Sequence, residues 1–177
     1  MHLIISSYPW EYESRWETVD GYDFFIRPIK PADADMMIDH FNSLSKRSVY
    51  MRFFSPLKQL SKQMLIRLTQ IDYDREIALV ALMGKDPEKI IGVSRIIGYS
   101  GGSQAEFALA ISDDWQGKGI GAALLTQCLG AARNKGMKQI MGFVLAENTQ
   151  MLRLGKKLGF KVKRVENSSE FELTIDF

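Results

Sequence analysis

The segment QGKGIG at residues 116–121 combines three glycines with a glutamine and a lysine, immediately before an apolar run. A glycine inside a helix costs about 1 kcal/mol relative to alanine, so its use at a helix start needs a compensating gain. The first turn of a helix has backbone N–H groups without partners, at the positive end of the helix dipole. Glycines leave these groups accessible and permit positive φ angles. The spacing of Gly117, Gly119 and Gly121 therefore predicts a backbone cradle for an oxyanion, to which the lysine would add a charge and the glutamine a donor.

Two better-known phosphate loops do not fit this segment. A P-loop needs a glycine five residues before a Gly-Lys-Ser/Thr triplet, and the chain has no such arrangement. The dinucleotide-binding pattern needs a parallel strand–helix–strand opening, whereas the strand before residue 116 is predicted to close an antiparallel meander. For the glycines taken alone, a tight turn without any ligand remains the alternative.

Glu106, on the predicted strand 103–112, is a candidate general base. Strand alternation places its side chain on the face of Ala108 and Ala110, and these small neighbours leave room for a substrate. An amine with an unperturbed pKa of about 10.4 must lose a proton before it can attack a carbonyl group. A carboxylate that accepts this proton accelerates a reaction by about 10²–10⁴-fold. On the strand pattern alone, a solvent-facing glutamate without a catalytic role is the simpler interpretation.

Hydrophobic periodicity predicts the elements that position these residues. A strand and three helices precede an antiparallel meander of three strands, which a helix, a strand, a helix and two strands follow. We expect an α/β (α+β) domain over 21–177, with a mixed, mostly antiparallel central sheet and helices on both faces. Residues 1–20 have no clear period and are interpreted as an arm that lies on the domain or is partly disordered. The predicted strands are 22–29, 75–84, 89–100, 103–112, 138–146, 159–166 and 170–177, and the helices are 32–44, 45–54, 61–70, 120–135 and 148–158.

Composition limits the possible functions. The chain of 177 residues has a net charge of +2, which is too balanced to favour nucleic acid. No window approaches the roughly 20 apolar residues of a membrane span, and no basic leader is present, so we expect a cytoplasmic protein that does not bind membranes. The single cysteine, Cys128, permits no internal disulfide and lies on an apolar helix face. Two isolated histidines without cysteine partners predict no metal site.

The acidic segment Asp72, Asp74 and Glu76 is a solvated turn, a surface that receives a basic, lysine-bearing segment of a partner, or a second proton acceptor. We expect Arg52, beside two phenylalanines, to pair with this acidic segment in a structural role.

The pattern Gln116-x-x-Gly119-x-Gly121, between a strand and a helix, resembles the coenzyme A pyrophosphate loop of the GNAT superfamily of acyl-CoA-dependent N-acetyltransferases. Asn148, the later KLGF and the predicted element order are similar to the same superfamily. Within it, YMRFF, IDYDREIALVA, AEFALAISDDWQGKGIG and GFVLAENTQMLRLGKKLGF resemble the catalytic domain of bacterial protein lysine acetyltransferases. The resemblance covers residues 22–177.

The resemblance implies a GNAT fold and acetyl-CoA as the cosubstrate. Glu106 occupies the position of the catalytic glutamate, and a backbone N–H near Ile111 would stabilise the negative charge that develops on the thioester oxygen. The backbone of the strand end would bond the pantetheine arm, the glycine segment would hold the pyrophosphate, and an asparagine would bond the pantetheine amide. The implied cofactor-binding residues are Leu109, Ala110, Ile111, Gln116, Gly117, Lys118, Gly119, Ile120, Gly121, Ala122 and Asn148.

One position departs from the family pattern. Many GNAT enzymes have a tyrosine seven residues after the asparagine, as general acid for the departing thiolate, and this chain has Gly155 there. Three functions therefore stay open: Nε-acetylation of a lysine on a protein such as an acyl-CoA synthetase, acetylation of a small amine or polyamine, and binding of acyl-CoA by a sensor without turnover. The acceptor, the oligomeric state and the regulation do not follow from the sequence, nor whether the chain is free-standing or excised.

Overall fold

The computed structural model describes residues 7–85 and 88–177, which form one eight-stranded sheet and five α-helices. The strand order is β1-β2-β3-β4-β5-β6-β8-β7, and every neighbouring pair is antiparallel except β5 and β6. The strands are β1 (Ser14–Glu17), β2 (Asp23–Pro28), β3 (Glu76–Met83), β4 (Lys89–Gly98), β5 (Gln104–Ile111), β6 (Gln139–Leu145), β7 (Lys161–Arg164) and β8 (Glu170–Asp176). The helices are α1 (Ala34–Ser43), α2 (Lys46–Phe53), α3 (Lys62–Thr69), α4 (Ile120–Asn134) and α5 (Thr149–Lys157).

The sheet is buried on both faces at its centre, and β3 shows how. Ile77 and Leu79 belong to the core beneath α4 and α5, whereas Ala78 and Val80 belong to the core beneath α1 and α3. Successive side chains of a strand point to opposite faces, so a strand covered on both sides reads as the continuous apolar run IALVALM. The expected mixed, mostly antiparallel sheet with helices on both faces is confirmed.

The first described segment differs from the expectation for residues 1–20. Ser14–Glu17 form an edge strand that pairs antiparallel with β2, in a register that runs from Ser14 opposite Ile26 to Glu17 opposite Asp23. Because three of its four side chains are exposed, β1 lacks the apolar alternation from which the other strands were predicted. His2 lies outside the described residues.

Two residues at helix ends explain where α3 begins and where α4 ends. Ser61 caps α3, since its hydroxyl accepts a hydrogen bond of 3.1 Å from the backbone N–H of Met64. Gly136, with a φ of +78°, follows the end of α4. Across the described part of the chain, none of the helices has the length and apolar character that a membrane crossing requires.

Candidate active site

The two parallel strands at the centre of the sheet separate after three residue pairs. Gln104 lies opposite Gln139, Ala105 opposite Ile140, and Glu106 opposite Met141, and beyond this point β5 and β6 diverge. Glu106 is therefore the last paired residue of β5 on this side, at the vertex of a V-shaped gap. Further along β5, residues 109–111 stay paired with β4 on the opposite side. Their other edge faces the gap, so it can bond an extended ligand in the manner of an added strand.

A cavity of about 770 Å³ follows this gap. Its volume is within the range of small-molecule and cofactor sites. The cavity brings together nine of the residues predicted to bind the cofactor: Leu109, Ala110, Ile111, Gln116, Gly117, Gly119, Gly121, Ala122 and Asn148. Three other predicted site residues, Glu106, Lys118 and Ile120, are not part of its lining.

The glycines adopt the geometry that an anion cradle needs. Gly117 and Gly119 have φ angles of +74° and +91°, in the left-handed region that other residues rarely adopt. Gly121 allows close packing instead, since a Cβ there would lie 3.3 Å from Cδ2 of Leu109. Gly119 is the N-cap of α4 and no side chain caps the helix. The first-turn N–H groups of α4 are thus without a side-chain acceptor, and the residues present fit a diphosphate.

Ile120 is fully buried in the core, so only its backbone is available to a ligand. The side chain of Lys118 forms an ion pair with Asp20 in the turn between β1 and β2. The carbonyl oxygen of Lys118 also accepts a hydrogen bond of 3.1 Å from the backbone N–H of Val19. The arm therefore holds the glycine segment, a contact that sequence reasoning did not predict.

Gln116 and Asn148 have local partners in the structure. The side-chain amide of Gln116 donates to the carbonyl oxygen of Ile111 at 3.1 Å and to Oγ of Ser48 at 3.2 Å, which ties α2 to the end of β5. The amide oxygen of Asn148 caps α5 by accepting from the N–H of Met151 at 3.1 Å. With its oxygen used in this way, Asn148 has its NH₂ group to offer to a ligand.

Glu106 is exposed, and the alternation predicted for its strand is confirmed. Phe107, Leu109 and Ile111 pack in or against the core beneath α4 and α5, so the carboxylate lies on the opposite face. The hydroxyl of Tyr99 donates a hydrogen bond of 2.9 Å to Oε2 of Glu106. Burial, and then this hydrogen bond, raise the pKa of Tyr99, so it stays a donor at neutral pH. Sequence reasoning missed Tyr99, which lies just past the end of β4 and has no periodic signal.

Packing explains the glycine at the position of the family tyrosine. Gly155 is buried, and a Cβ there would lie 2.4 Å from Cδ2 of Leu173 on β8. The α5 residues that do line the cavity are Thr149, Gln150, Met151, Arg153, Leu154 and Lys157. The space of a side chain at position 155 is thus filled by the sheet, and no general acid can stand there.

The expected pairing of Arg52 with the acidic segment is wrong. Glu76 pairs with Arg95 at 3.2 Å, and Asp72 accepts from the N–H of Asp74 at 3.1 Å in a turn. Arg95 lies on β4, the strand paired with that of Glu76, and its guanidinium is also held by the carbonyl oxygens of Leu68 and Arg67 on α3. Arg52 instead lines the cavity.

Two other reactive side chains are structural. Cys128 is buried among apolar residues, as expected, and burial raises the pKa of its thiol to about 12. His40 is also buried, and its Nδ1 lies 3.0 Å from Oγ of Ser112. Desolvation lowers the pKa of His40 from 6.5 to about 4. Residues 7–85 and 88–177 contain no group of three or more His, Cys, Asp or Glu side chains able to hold a metal ion.

Comparison with known proteins agrees with this geometry. The family model described as "Acetyltransferase (GNAT) domain" matches residues 23–161. An acetyltransferase of Pseudomonas aeruginosa is 34% identical over 151 residues, which cover 85% of this chain and 81% of that protein. The solved GNAT domain of S. lividans PAT superposes with a TM-score of 0.89 at 27% identity, covering 97% of this chain and all of that one.

A more distant structure has the same fold. The PaiA N-acetyltransferase from Thermoplasma acidophilum, in complex with coenzyme A, gives a TM-score of 0.70 at 21% identity and covers 87% of this chain and 99% of its own. The predicted fold and the resemblance to the catalytic domain of bacterial protein lysine acetyltransferases are confirmed. The chain belongs to the GNAT family of acetyl-CoA-dependent N-acetyltransferases.

Proposed function

We propose that this protein transfers an acetyl group from acetyl-CoA to the Nε atom of a lysine on a partner protein in the cytoplasm. The observation that carries the choice of acceptor is the exposure of the base. Glu106 is exposed and its partner Tyr99 is 43% exposed, so a lysine that projects from a protein surface can reach the carboxylate. An enclosed acidic pocket, which a polyamine would need, is not what surrounds Glu106 in the described part of the chain.

The residues of the gap suit coenzyme A. Its pyrophosphate would lie on the N–H groups at the start of α4, where the left-handed glycines expose them. Its pantetheine arm would bond the free edge of residues 109–111 and the NH₂ group of Asn148. Arg153 and Lys157 of α5 also line the cavity and add positive charge facing this polyanion. The bound cosubstrate would supply the acetyl thioester.

Glu106 would act on the amine. A lysine side chain has an unperturbed pKa of about 10.4, so at neutral pH nearly every acceptor amine is protonated. It must lose this proton before its nitrogen can attack the thioester. Oε2 of Glu106 accepts from Tyr99, which leaves Oε1 to accept the amine proton directly or through one water. A thiol has an unperturbed pKa of about 8.5, so the thiolate of coenzyme A is a good leaving group. Gly155 therefore does not argue against turnover, because the reaction has little need of a general acid.

Mass spectrometry of candidate acceptors tests this proposal. The protein is incubated with isotope-labelled acetyl-CoA in a series of separate reactions. Each reaction contains one acceptor: a purified acyl-CoA synthetase, a lysine peptide, spermidine, or buffer alone as the blank. We expect label on specific lysine side chains of at least one protein acceptor. Label on spermidine alone would identify a small-amine acetyltransferase. Binding of acetyl-CoA by calorimetry without label on any acceptor would identify a sensor.

A further inference from the structure

Arg52 is a cation near the C-terminal end of α2, on the wall of the cavity. Helix α2 packs on β5, and Arg52 contributes to the cavity lining together with Met51 and Ser48 of the same helix. The side chain is only partly accessible to solvent. Phe53 of the same helix packs against Phe41 of α1, and α1 covers the sheet face opposite α4. The side chain of Glu106 lies on this same face, so Arg52 is on the side of the cavity where an acceptor amine would arrive.

The other two enclosed arginines show what Arg52 lacks. Arg27 makes a bidentate ion pair with Asp33, at 2.7 and 2.8 Å. Arg95 donates to the carbonyl oxygens of Leu68 and Arg67 and to Glu76. Within the described part of the chain, Arg52 has no hydrogen bond and no ion pair, and its contact is with the ring of Phe53, 4.8 Å from the centroid. Enclosed charges in proteins are normally paired, so we expect a bound ligand to supply the partner that the guanidinium of Arg52 lacks.

The electrostatic setting of Arg52 agrees with this interpretation. Desolvation, and then the charge of Arg95, lower the pKa of Arg52 from 12.5 to about 10, whereas Glu106 raises it. The cation is thus less stable here than in water, and an added anion would stabilise it. A carboxylate is the group that a planar guanidinium fork recognises best, through two parallel hydrogen bonds.

We propose that Arg52 binds a carboxylate carried by the acceptor close to its reactive amine, so that the enzyme selects lysines with an acidic neighbour. This inference rests on the function proposed above and specifies its substrate. The carboxylate comes either from an acidic side chain beside the lysine of a protein or from the α-carboxylate of a free amino acid. Both place the same charge near Arg52, and matched acceptor pairs distinguish them.

Two acceptor pairs test the proposal. The first is a lysine peptide with glutamate beside the lysine and the same peptide with glutamine there. The second is Nα-acetyl-lysine and Nα-acetyl-lysinamide, which differ only in the carboxylate. Wild type is compared with Arg52→Gln, with Arg52→Lys, and with Lys46→Gln as a control that removes an exposed cation from the same helix.

We expect wild type to favour the acidic member of at least one pair by about tenfold or more in kcat/KM, and Arg52→Gln to reduce this ratio to about one. In Arg52→Gln the rate with the acidic acceptor should fall more than the rate with the neutral acceptor, Lys46→Gln should keep the preference, and Arg52→Lys should retain part of it. A preference limited to the peptide pair identifies an acidic side chain, and one limited to the acetyl-lysine pair identifies an α-carboxylate.

Three results would overturn the inference: no preference in wild type for either pair, a preference that survives Arg52→Gln, or an equal loss for acidic and neutral acceptors. Calorimetric binding of the same acceptors in the presence of CoA gives the comparison without turnover. Acetylation of the neutral peptide by wild type supports the proposed function even where the preference is absent, so the two failures are distinguishable.

Discussion

The hydroxyl of Tyr99 donates a hydrogen bond of 2.9 Å to Oε2 of Glu106, at the point where β5 and β6 part. The bond fixes one carboxylate oxygen and orients the other, so we propose Tyr99 as a positioning residue for Glu106, the proposed base. In Tyr99→Phe the carboxylate is free to rotate, and losing one such hydrogen bond is worth about 0.5–1.5 kcal/mol. We expect kcat to fall about two- to tenfold, while the KM for acetyl-CoA stays unchanged and the melting temperature falls by no more than about 2–4 °C. Steady-state kinetics with both substrates measure this, and a rise in KM with constant kcat would contradict the assignment.

The left-handed glycines should be required for coenzyme A binding. Alanine at position 119, where φ is +91°, costs about 1–2 kcal/mol if the loop keeps its shape. We expect Gly119→Ala to bind CoA about tenfold more weakly in calorimetry. Gly130→Ala is the matched control, because Gly130 is an exposed residue of α4 with open space around a new Cβ. Equal CoA affinity of Gly119→Ala and Gly130→Ala would show that the glycine segment is not the anion site.

The ion pair between Asp20 and Lys118 should oppose the binding of a diphosphate. Asp20 places a negative charge beside the cradle and occupies the ammonium group that would otherwise face the anion, and the hydrogen bond from Lys118 lowers the pKa of Asp20. Exposed pairs of this kind have small effects, so we expect Asp20→Asn to bind CoA about two- to fivefold more tightly at low salt. Pantetheine, which lacks phosphate, should bind both proteins equally. Weaker CoA binding by Asp20→Asn would indicate that the arm supports the loop instead.

The buried His40 predicts a loss of stability at acidic pH. Its pKa is about 4 in the folded protein and 6.5 as a reference value, so below pH 6.5 the unfolded chain binds a proton that the folded chain does not. The free energy of unfolding should therefore be maximal above pH 6.5 and fall by about 3 kcal/mol as the pH approaches 4. Urea unfolding at several pH values tests this. His40→Asn should lose the part of the slope between pH 6.5 and 5, and an identical slope in both proteins would refute the prediction.

Local patterns predicted most of the fold. Alternation in β3, β4 and β5, and the helical period after Gly119, are properties of short stretches, and the element bounds agree within a few residues. The anion cradle could also be predicted from a short stretch, since the spacing of its glycines alone implies exposed N–H groups at the start of a helix.

The features that were missed depend on side chains distant in sequence. Asp20 and Lys118 form an ion pair although they are 98 residues apart in sequence. Glu76 pairs with Arg95, and not with Arg52, because the register of β3 and β4 brings Arg95 close to Glu76. Strand β1 was missed since its exposed side chains carry no apolar signal. Tyr99 becomes a candidate positioning residue only when the structure shows that its hydroxyl contacts the carboxylate of Glu106.

The central claim is that Glu106 removes the proton from an acceptor amine beside a bound acetyl thioester, and Glu106→Gln tests it most directly. Its single-turnover rate is compared with that of wild type, and the control is Glu166→Gln, at an exposed turn residue that does not line the cavity. We predict a rate about 10²–10⁴-fold lower for Glu106→Gln, with unchanged affinity for acetyl-CoA in calorimetry and a normal rate for Glu166→Gln. A Glu106→Gln rate within threefold of wild type, with the acetyl-CoA affinity intact, would contradict the account.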